Sequence, residues 1–174
     1  MNKILSIFLV SLVPLFFIAC GGGGGGGDDF VGAGNVNITA TPNKIDTGDR
    51  TRVSIKLSEI NLNGISLKIL FPSGLSYVPD STNLIIDKNT SKIEPNFNIS
   101  GTGGHFIVYF LAESLFKDKK GEIVLELEGI SRFTKGRIDV DVDVDNPLIA
   151  NADEFDANDP KFTAESSASI EVIS

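Results

Sequence analysis

Val53-Ser54-Ile55-Lys56-Leu57 and Ile65-Ser66-Leu67-Lys68-Ile69 decide the fold, because each alternates apolar and polar residues at every step. Successive side chains leave a pleated strand on opposite sides, so period two marks a strand with one face on a core and the other in water. Val36-Asn37-Ile38, residues 123–128, residues 138–144 and Ile170-Glu171-Val172 follow the same rule, and weaker strands are expected near 84–87 and 96–99. Residues 106–111 are apolar throughout, which predicts a strand covered on both faces or facing a partner. Turn-forming residues separate the runs: Thr47-Gly48-Asp49, Asn63-Gly64, Pro72-Ser73-Gly74, Gly101 to Gly104, Lys119-Lys120-Gly121 and Lys135-Gly136. The only helical turn expected lies at 113–117. Nine short strands without a long amphipathic stretch make an all-β, antiparallel sandwich of one domain, its first and last strands expected to pair.

Upstream of that domain the sequence changes character. Met1-Asn2-Lys3 gives a positive start, and residues 4–18 are apolar except for Ser6, Ser11 and Pro14, the pattern of a secretory signal peptide. As a helix this run would span about 22 Å, short of the roughly 30 Å hydrocarbon core. Phe17-Ile18-Ala19-Cys20 resembles the lipobox of bacterial lipoproteins, with Phe17 where Leu is more usual. The resemblance implies removal of residues 1–19 and lipidation of Cys20, so that the membrane is met only through acyl chains, at the outer membrane or cell surface. Each buried CH₂ contributes about 0.8 kcal/mol, so two or three chains anchor stably where one does not. Gly21 to Gly27 are seven consecutive glycines. As flexible coil, residues 21–34 span roughly 20 Å, a tether that holds the domain clear of headgroups. No strand, helix or lysine flanks them as a phosphate-binding loop requires. Residues 20–34 are therefore read as anchor and tether, and 35–174 as the folded domain.

Composition narrows the function classes. The 174 residues carry a net charge of −8, with one His, one Cys, two Tyr and no Trp. An acidic chain makes a poor partner for nucleic acid or anionic lipid. One Cys and one His supply neither a disulfide nor a Cys/His zinc site. His105 has no evident nucleophile partner, and the carboxylates fall mostly on strand faces open to water, so no catalysis is expected. Tyr77 and Tyr109 cannot by themselves build the flat aromatic platform that grips a polysaccharide, which places protein ahead of carbohydrate as the ligand.

One acidic stretch stands out. Asp139, Asp141, Asp143 and Asp145 alternate with apolar residues, and Asp153, Glu154, Asp156 and Asp159 follow before the next basic residue. Carboxylate-rich loops suit calcium, and Asp143, Asp145, Asp153 and Asp156 are the candidate ligands, although the Gly and Glu of an EF-hand are missing at their positions. The other reading is a solvated face that resists aggregation; same-side neighbours about 6.7 Å apart repel by only about 0.6 kcal/mol in water.

The order of segments resembles the cohesin domain and related carbohydrate-binding sandwiches. The residues that carry it are the strand ending before Thr47-Gly48-Asp49, the block Leu62-Asn63-Gly64-Ile65-Ser66-Leu67-Lys68-Ile69-Leu70-Phe71-Pro72-Ser73-Gly74-Leu75, the strand from His105, and Lys120-Gly121-Glu122-Ile123-Val124-Leu125-Glu126-Leu127. The resemblance implies a nine-stranded jelly roll with a protein-binding face built by residues 65–70, 96–99, 106–111 and 138–144. With Phe106, Val108 and Phe110 directed inward, Ile107, Tyr109 and Leu111 would stand outward beside Ser66, Lys68 and Leu70 as the contact row. The implied function is a non-catalytic, surface-anchored binding module whose partner is a dockerin-like or other surface protein. The alternatives are a carbohydrate-binding module for polysaccharide and a calcium-stabilised adhesin domain.

Overall fold

The computed structural model describes residues 36–58, 60, 65–101, 104–143 and 165–174. Cys20, the glycine tether, Asp145, Asp153 and Asp156 lie outside them. Within the described residues twelve strands form: β1 (Val36–Thr41), β2 (Lys44–Ile45), β3 (Arg50–Leu57), β4 (Ile65–Phe71), β5 (Leu75–Tyr77), β6 (Asn83–Ile86), β7 (Asn89–Lys92), β8 (Phe97–Gly101), β9 (Gly104–Leu111), β10 (Gly121–Gly129), β11 (Phe133–Asp143) and β12 (Ser166–Val172). All nine expected strands are among them. The additional β2, β5 and β7 are two to four residues long, too short for alternation to register. A single 3-10 turn at Glu113–Leu115 is the expected helical element.

The strands assemble into two sheets. One runs β1-β3-β10-β6-β7, with β5 also on β10; the other runs β2-β12-β11-β4-β9-β8. Every pairing is antiparallel except the short β2 with β12. Alternation on β3 and β10 sends Val53, Ile55, Leu57, Ile123, Leu125 and Leu127 inward from the first sheet. Ile65, Leu67, Ile69, Phe71, Ile138, Val140 and Val142 meet them from the second. Such inner faces stack about 10 Å apart, and each fully buried aliphatic side chain contributes about 1.5–3 kcal/mol.

The ends of the chain meet differently from the expectation. β1 pairs with β3 and β12 with β11, in opposite sheets, so the two are not ladder partners. They close one side of the sandwich by packing Ile38 in the same core as Ile170 and Val172. One hydrogen bond crosses between them, from the Ile38 amide to Ser166 Oγ at 3.3 Å.

Two-residue turns shape the first sheet's edge. Asp87 and Lys88 both have positive φ between the paired Ile86 and Asn89, as do Asp118 and Lys119 between Lys117 and Lys120. Positive φ at both central residues belongs to turns whose twist matches that of hairpin strands. Lys117 Nζ lies 2.7 Å from Asp87 Oδ2 and joins the two turns, lowering the Asp87 pKa through that bond and the lysine's charge.

Candidate binding face

β11, β4, β9 and β8 are consecutive in the second sheet, so the four segments that the resemblance nominates form one continuous face. Register fixes which side chains share it. Lys68 stands opposite Asp141 on one side and Val108 on the other, and Val108 opposite Phe97; Leu70 stands between Asp139 and Phe106, and Phe106 opposite Ile99. Directly opposed residues project to the same side of a sheet. Since Ile65, Leu67, Ile69 and Phe71 face the core, Ser66, Lys68 and Leu70 face out, and with them Phe106, Val108 and Phe110.

This reverses the expected facing of β9. Ile107 and Tyr109 have no exposed surface and Leu111 is buried; all three belong to the inter-sheet core. The cause is pairing: Ile69, Leu67 and Ile65 point inward and carry Ile107, Tyr109 and Leu111 with them. Ser66, expected as a contact residue, is on the outer side but fully buried in the centre of the sheet. Lys68 is nearly buried as well, its Nζ 2.7 Å from Asp141 Oδ2. Of the six nominated residues only Lys68 and Leu70 keep partial exposure on the outer face, Lys68 little of it.

Beside Leu70 lie apolar residues that alternation did not single out. Phe97, Ile99 and Phe110 are half-buried on the outer face and take no part in the inter-sheet core. The Phe97 and Phe110 rings meet edge to face, centroids 5.7 Å apart at 80°. Asn96 extends the β8–β9 pairing past its end, its Oδ1 accepting from the Phe110 amide at 2.8 Å and its own amide donating to Val108 O at 2.8 Å. The face thus grades from charge on β11 to aromatic surface on β9 and the edge strand β8.

The acidic strand is less solvated than its sequence suggests. Asp141 is buried against Lys68, and Asp139 accepts from Arg137 Nη2 at 2.7 Å and from Ser167 Oγ at 2.7 Å. Among the described residues no group of three His, Cys, Asp or Glu is placed to hold a metal ion. Asp143 ends β11, and the other three nominated calcium ligands fall outside the described residues.

Inside the sandwich the two tyrosines have a structural role. Thr82 Oγ1 lies 2.9 Å from Tyr77 OH and 2.7 Å from Tyr109 OH, a buried chain of hydroxyls that links β5 of the first sheet with β9 of the second. Burial raises the Tyr109 pKa, keeping it a neutral phenol. His105 is half-buried, its ring stacked on Phe71 at 5.4 Å and 7°. Its Nδ1 lies 3.0 Å from Ser100 Oγ, a cross-strand pair at a strand end, and burial lowers its pKa.

The first sheet carries a polar groove of about 280 Å³ on its outer side, with Arg52, Asn83, Thr90 and Glu126 around a floor of Val124 and Ile85. Asn83 Nδ2 donates to Ser81 O, and Ser81 Oγ accepts from the Glu126 amide. Glu126 and Glu128 both turn to Arg50, at 3.2 Å each.

No family model matches the sequence, and no curated protein matches it. Solved structures do resemble the fold. The N-terminal domain of the Streptococcus gordonii adhesin Sgo0707 superposes with a TM-score of 0.52 at 15% identity, covering 79% of this chain and 32% of that one. This chain therefore corresponds to about a third of that adhesin chain. A non-cellulosomal cohesin from the archaeon Archaeoglobus fulgidus gives 0.44 at 14%, over 80% of this chain and 92% of its own. The cohesin module of a Clostridium perfringens family 33 glycoside hydrolase gives 0.44 at 9%, over 82% and 98%. The class these observations define is an all-β, single-domain sandwich, a fold shared with the N-terminal domain of that adhesin.

Proposed function

We propose that this chain is a non-catalytic binding module, anchored through lipidated Cys20 at the outer membrane or cell surface, that docks a protein partner on the outer face of β11-β4-β9-β8. The observation that carries the reading is the set Leu70, Phe97, Ile99 and Phe110: apolar, half-exposed, outside the inter-sheet core and contiguous by register. Aromatic residues flanked by polar ones are what protein interfaces bury at their centre. The cohesin resemblance nominated these same four strands, which the sheet order makes neighbours.

The polar groove on the opposite sheet favours a second reading, in which the ligand is a polysaccharide. Its hydrogen-bonding side chains surround an apolar floor, as a sugar ring requires.

One experiment separates the two. Capture of a partner from the source organism's surface extract should be lost in Phe97→Ser/Phe110→Ser while melting temperature changes by only a few degrees, and survive in Arg52→Ala/Asn83→Ala. Retardation on polysaccharide gels that only the groove pair abolishes would replace protein docking with carbohydrate binding. Cys20→Ser should release the chain from the membrane fraction; a variant that stays there would remove the anchor from this reading.

A further inference from the structure

The outer side of the first sheet divides its charges unevenly. By register Arg50 stands opposite Glu128 and Arg52 opposite Glu126, so each arginine of β3 has a carboxylate directly across from it on β10. Directly opposed charges are the pairs a sheet ordinarily makes. Arg50 nevertheless takes both, its Nε on Glu128 Oε2 and its Nη1 on Glu126 Oε2, each at 3.2 Å. Among the described residues the Arg52 guanidinium is left with no ion pair or side-chain hydrogen bond, and it lines the groove. Lys56 and Lys92 share that side of the sheet, opposite Glu122 and Asn83. Neither has a carboxylate partner among the described residues, since Glu122 accepts from Ser54 Oγ and Lys92 Nζ donates to Asp80 O. An acidic chain of net charge −8 thus carries cations without counter-charges around one groove.

The groove's other groups say which anion fits. Val124 and Ile85 make an apolar floor that lies outside the inter-sheet core. Glu126 gives Oε2 to Arg50 and Asn83 gives Nδ2 to Ser81 O, which leaves Glu126 Oε1 and Asn83 Oδ1 to accept from a ligand. An unpartnered planar guanidinium selects a carboxylate, which it can hold through two parallel N–H···O bonds. The acceptors beside it select hydroxyl donors, because a second carboxylate brought against Glu126 would be repelled. One carboxylate, several hydroxyls and an apolar ring face together describe a uronic acid. The volume of about 280 Å³ falls just under the roughly 300–1,000 Å³ of drug-sized sites, which leaves room for one ring and its substituents.

We infer that the groove on the outer side of β3, β10, β6 and β7 binds a uronic acid unit of an acidic polysaccharide, with the carboxylate on Arg52, the ring over Val124 and Ile85, and hydroxyls toward Glu126, Asn83 and Thr90. The inference rests on the carbohydrate reading of the groove and is independent of the docking face. Lys56 and Lys92 raise the local positive potential, an attraction that salt screens.

The test titrates the full chain, followed by amide NMR, with trimers of galacturonate, mannuronate and guluronate, their methyl esters, and triglutamate. At least one uronate should shift the Asn83, Ile85, Thr90 and Val124 amides saturably and bind about tenfold or more tightly than its methyl ester or triglutamate, the margin of a charge-assisted bidentate pair. Arg52→Gln should lose that margin, whereas Lys44→Ala, which removes a cation from the opposite sheet, should not. A methyl ester that binds as well as the acid overturns the uronate assignment and leaves the groove as a neutral-sugar site. Silence of these amides toward acids and esters alike overturns the carbohydrate reading with it. Triglutamate bound as tightly as the best uronate replaces the sugar with an acidic peptide, and equal losses in Arg52→Gln and Lys44→Ala reduce the attraction to net charge; either result overturns the inference.

Discussion

Replacing Tyr109 with Ala, and separately Phe110 with Ala, tests the facing of β9 on which the binding face depends. The two aromatic residues are neighbours on one strand, and the structure puts them on opposite sides of it. Tyr109 has no exposed surface, and removing so large a buried side chain costs about 3–5 kcal/mol through lost transfer and a residual cavity. Its hydroxyl adds about 1 kcal/mol through the Thr82 bond at 2.7 Å, a part that Tyr109→Phe isolates because Thr82 keeps Tyr77. A domain of this size has roughly 7–20 kcal/mol of stability, so Tyr109→Ala should fold with a melting temperature lower by about 10–20 °C. Phe110 is half-buried and outside the core, and its loss should cost about 1 kcal/mol, or a few degrees. Urea titration with near-ultraviolet circular dichroism reads both, with an unchanged slope as the sign that cooperativity survives. Equal costs for the two substitutions, or a cost for Tyr109→Ala under about 1 kcal/mol, would refute the assigned facing.

Three further substitutions probe two glycines and the buried ion pair. Gly104 has φ of 136°, and a Cβ there would stand 2.5 Å from the Phe71 carbonyl oxygen, so Gly104→Ala should destabilise by about 2 kcal/mol or more; Gly48→Ala, with φ of 88° and open space around it, should cost only about 1 kcal/mol, both by denaturant titration. Lys68→Met leaves the Asp141 carboxylate nearly buried without its ammonium and should cost about 3 kcal/mol near neutral pH, recovered in part by adding Asp141→Leu, as a double-mutant cycle would measure.

Sequence alternation carried the architecture and then failed at a definable place. β3 and β4 alternate cleanly, so their core residues could be named from sequence, and turn residues bounded the nine main strands. β9 is apolar on both sides, Ile107, Tyr109 and Leu111 inward and Phe106, Val108 and Phe110 outward, and a strand apolar on both sides has no parity to read. Size was no guide either, since Phe106 and Tyr109 are both fully buried, one on each side. The information was present one strand away: in an antiparallel pair the parity of β4 dictates that of β9 once Leu67 is known to oppose Tyr109. Likewise Asp141 read as solvated because the run on β11 contains only acids, while its neutralising charge sits on β4, more than seventy residues earlier. The turns at Asp87-Lys88 and Asp118-Lys119 carry no glycine at their positive-φ positions, so β7 and its hairpin left no local trace.

The corrected facing changes what kind of surface a partner would meet. An outward row of Ile107, Tyr109 and Leu111 would have been uniformly apolar along one strand. The observed face instead runs across strands, from the Lys68–Asp141 pair to the Phe97–Phe110 pair at the edge. Charge near the sheet's centre favours one orientation of a partner, because an unmatched group brought against a nearly buried ion pair is costly, whereas the aromatic edge supplies area with little directional demand. Among the described residues β8 also ends the sheet, its outer edge unpaired beside that aromatic surface. A partner that engages the face could therefore bond to the β8 backbone while burying Phe97 and Phe110, which ties affinity to the edge and orientation to the centre.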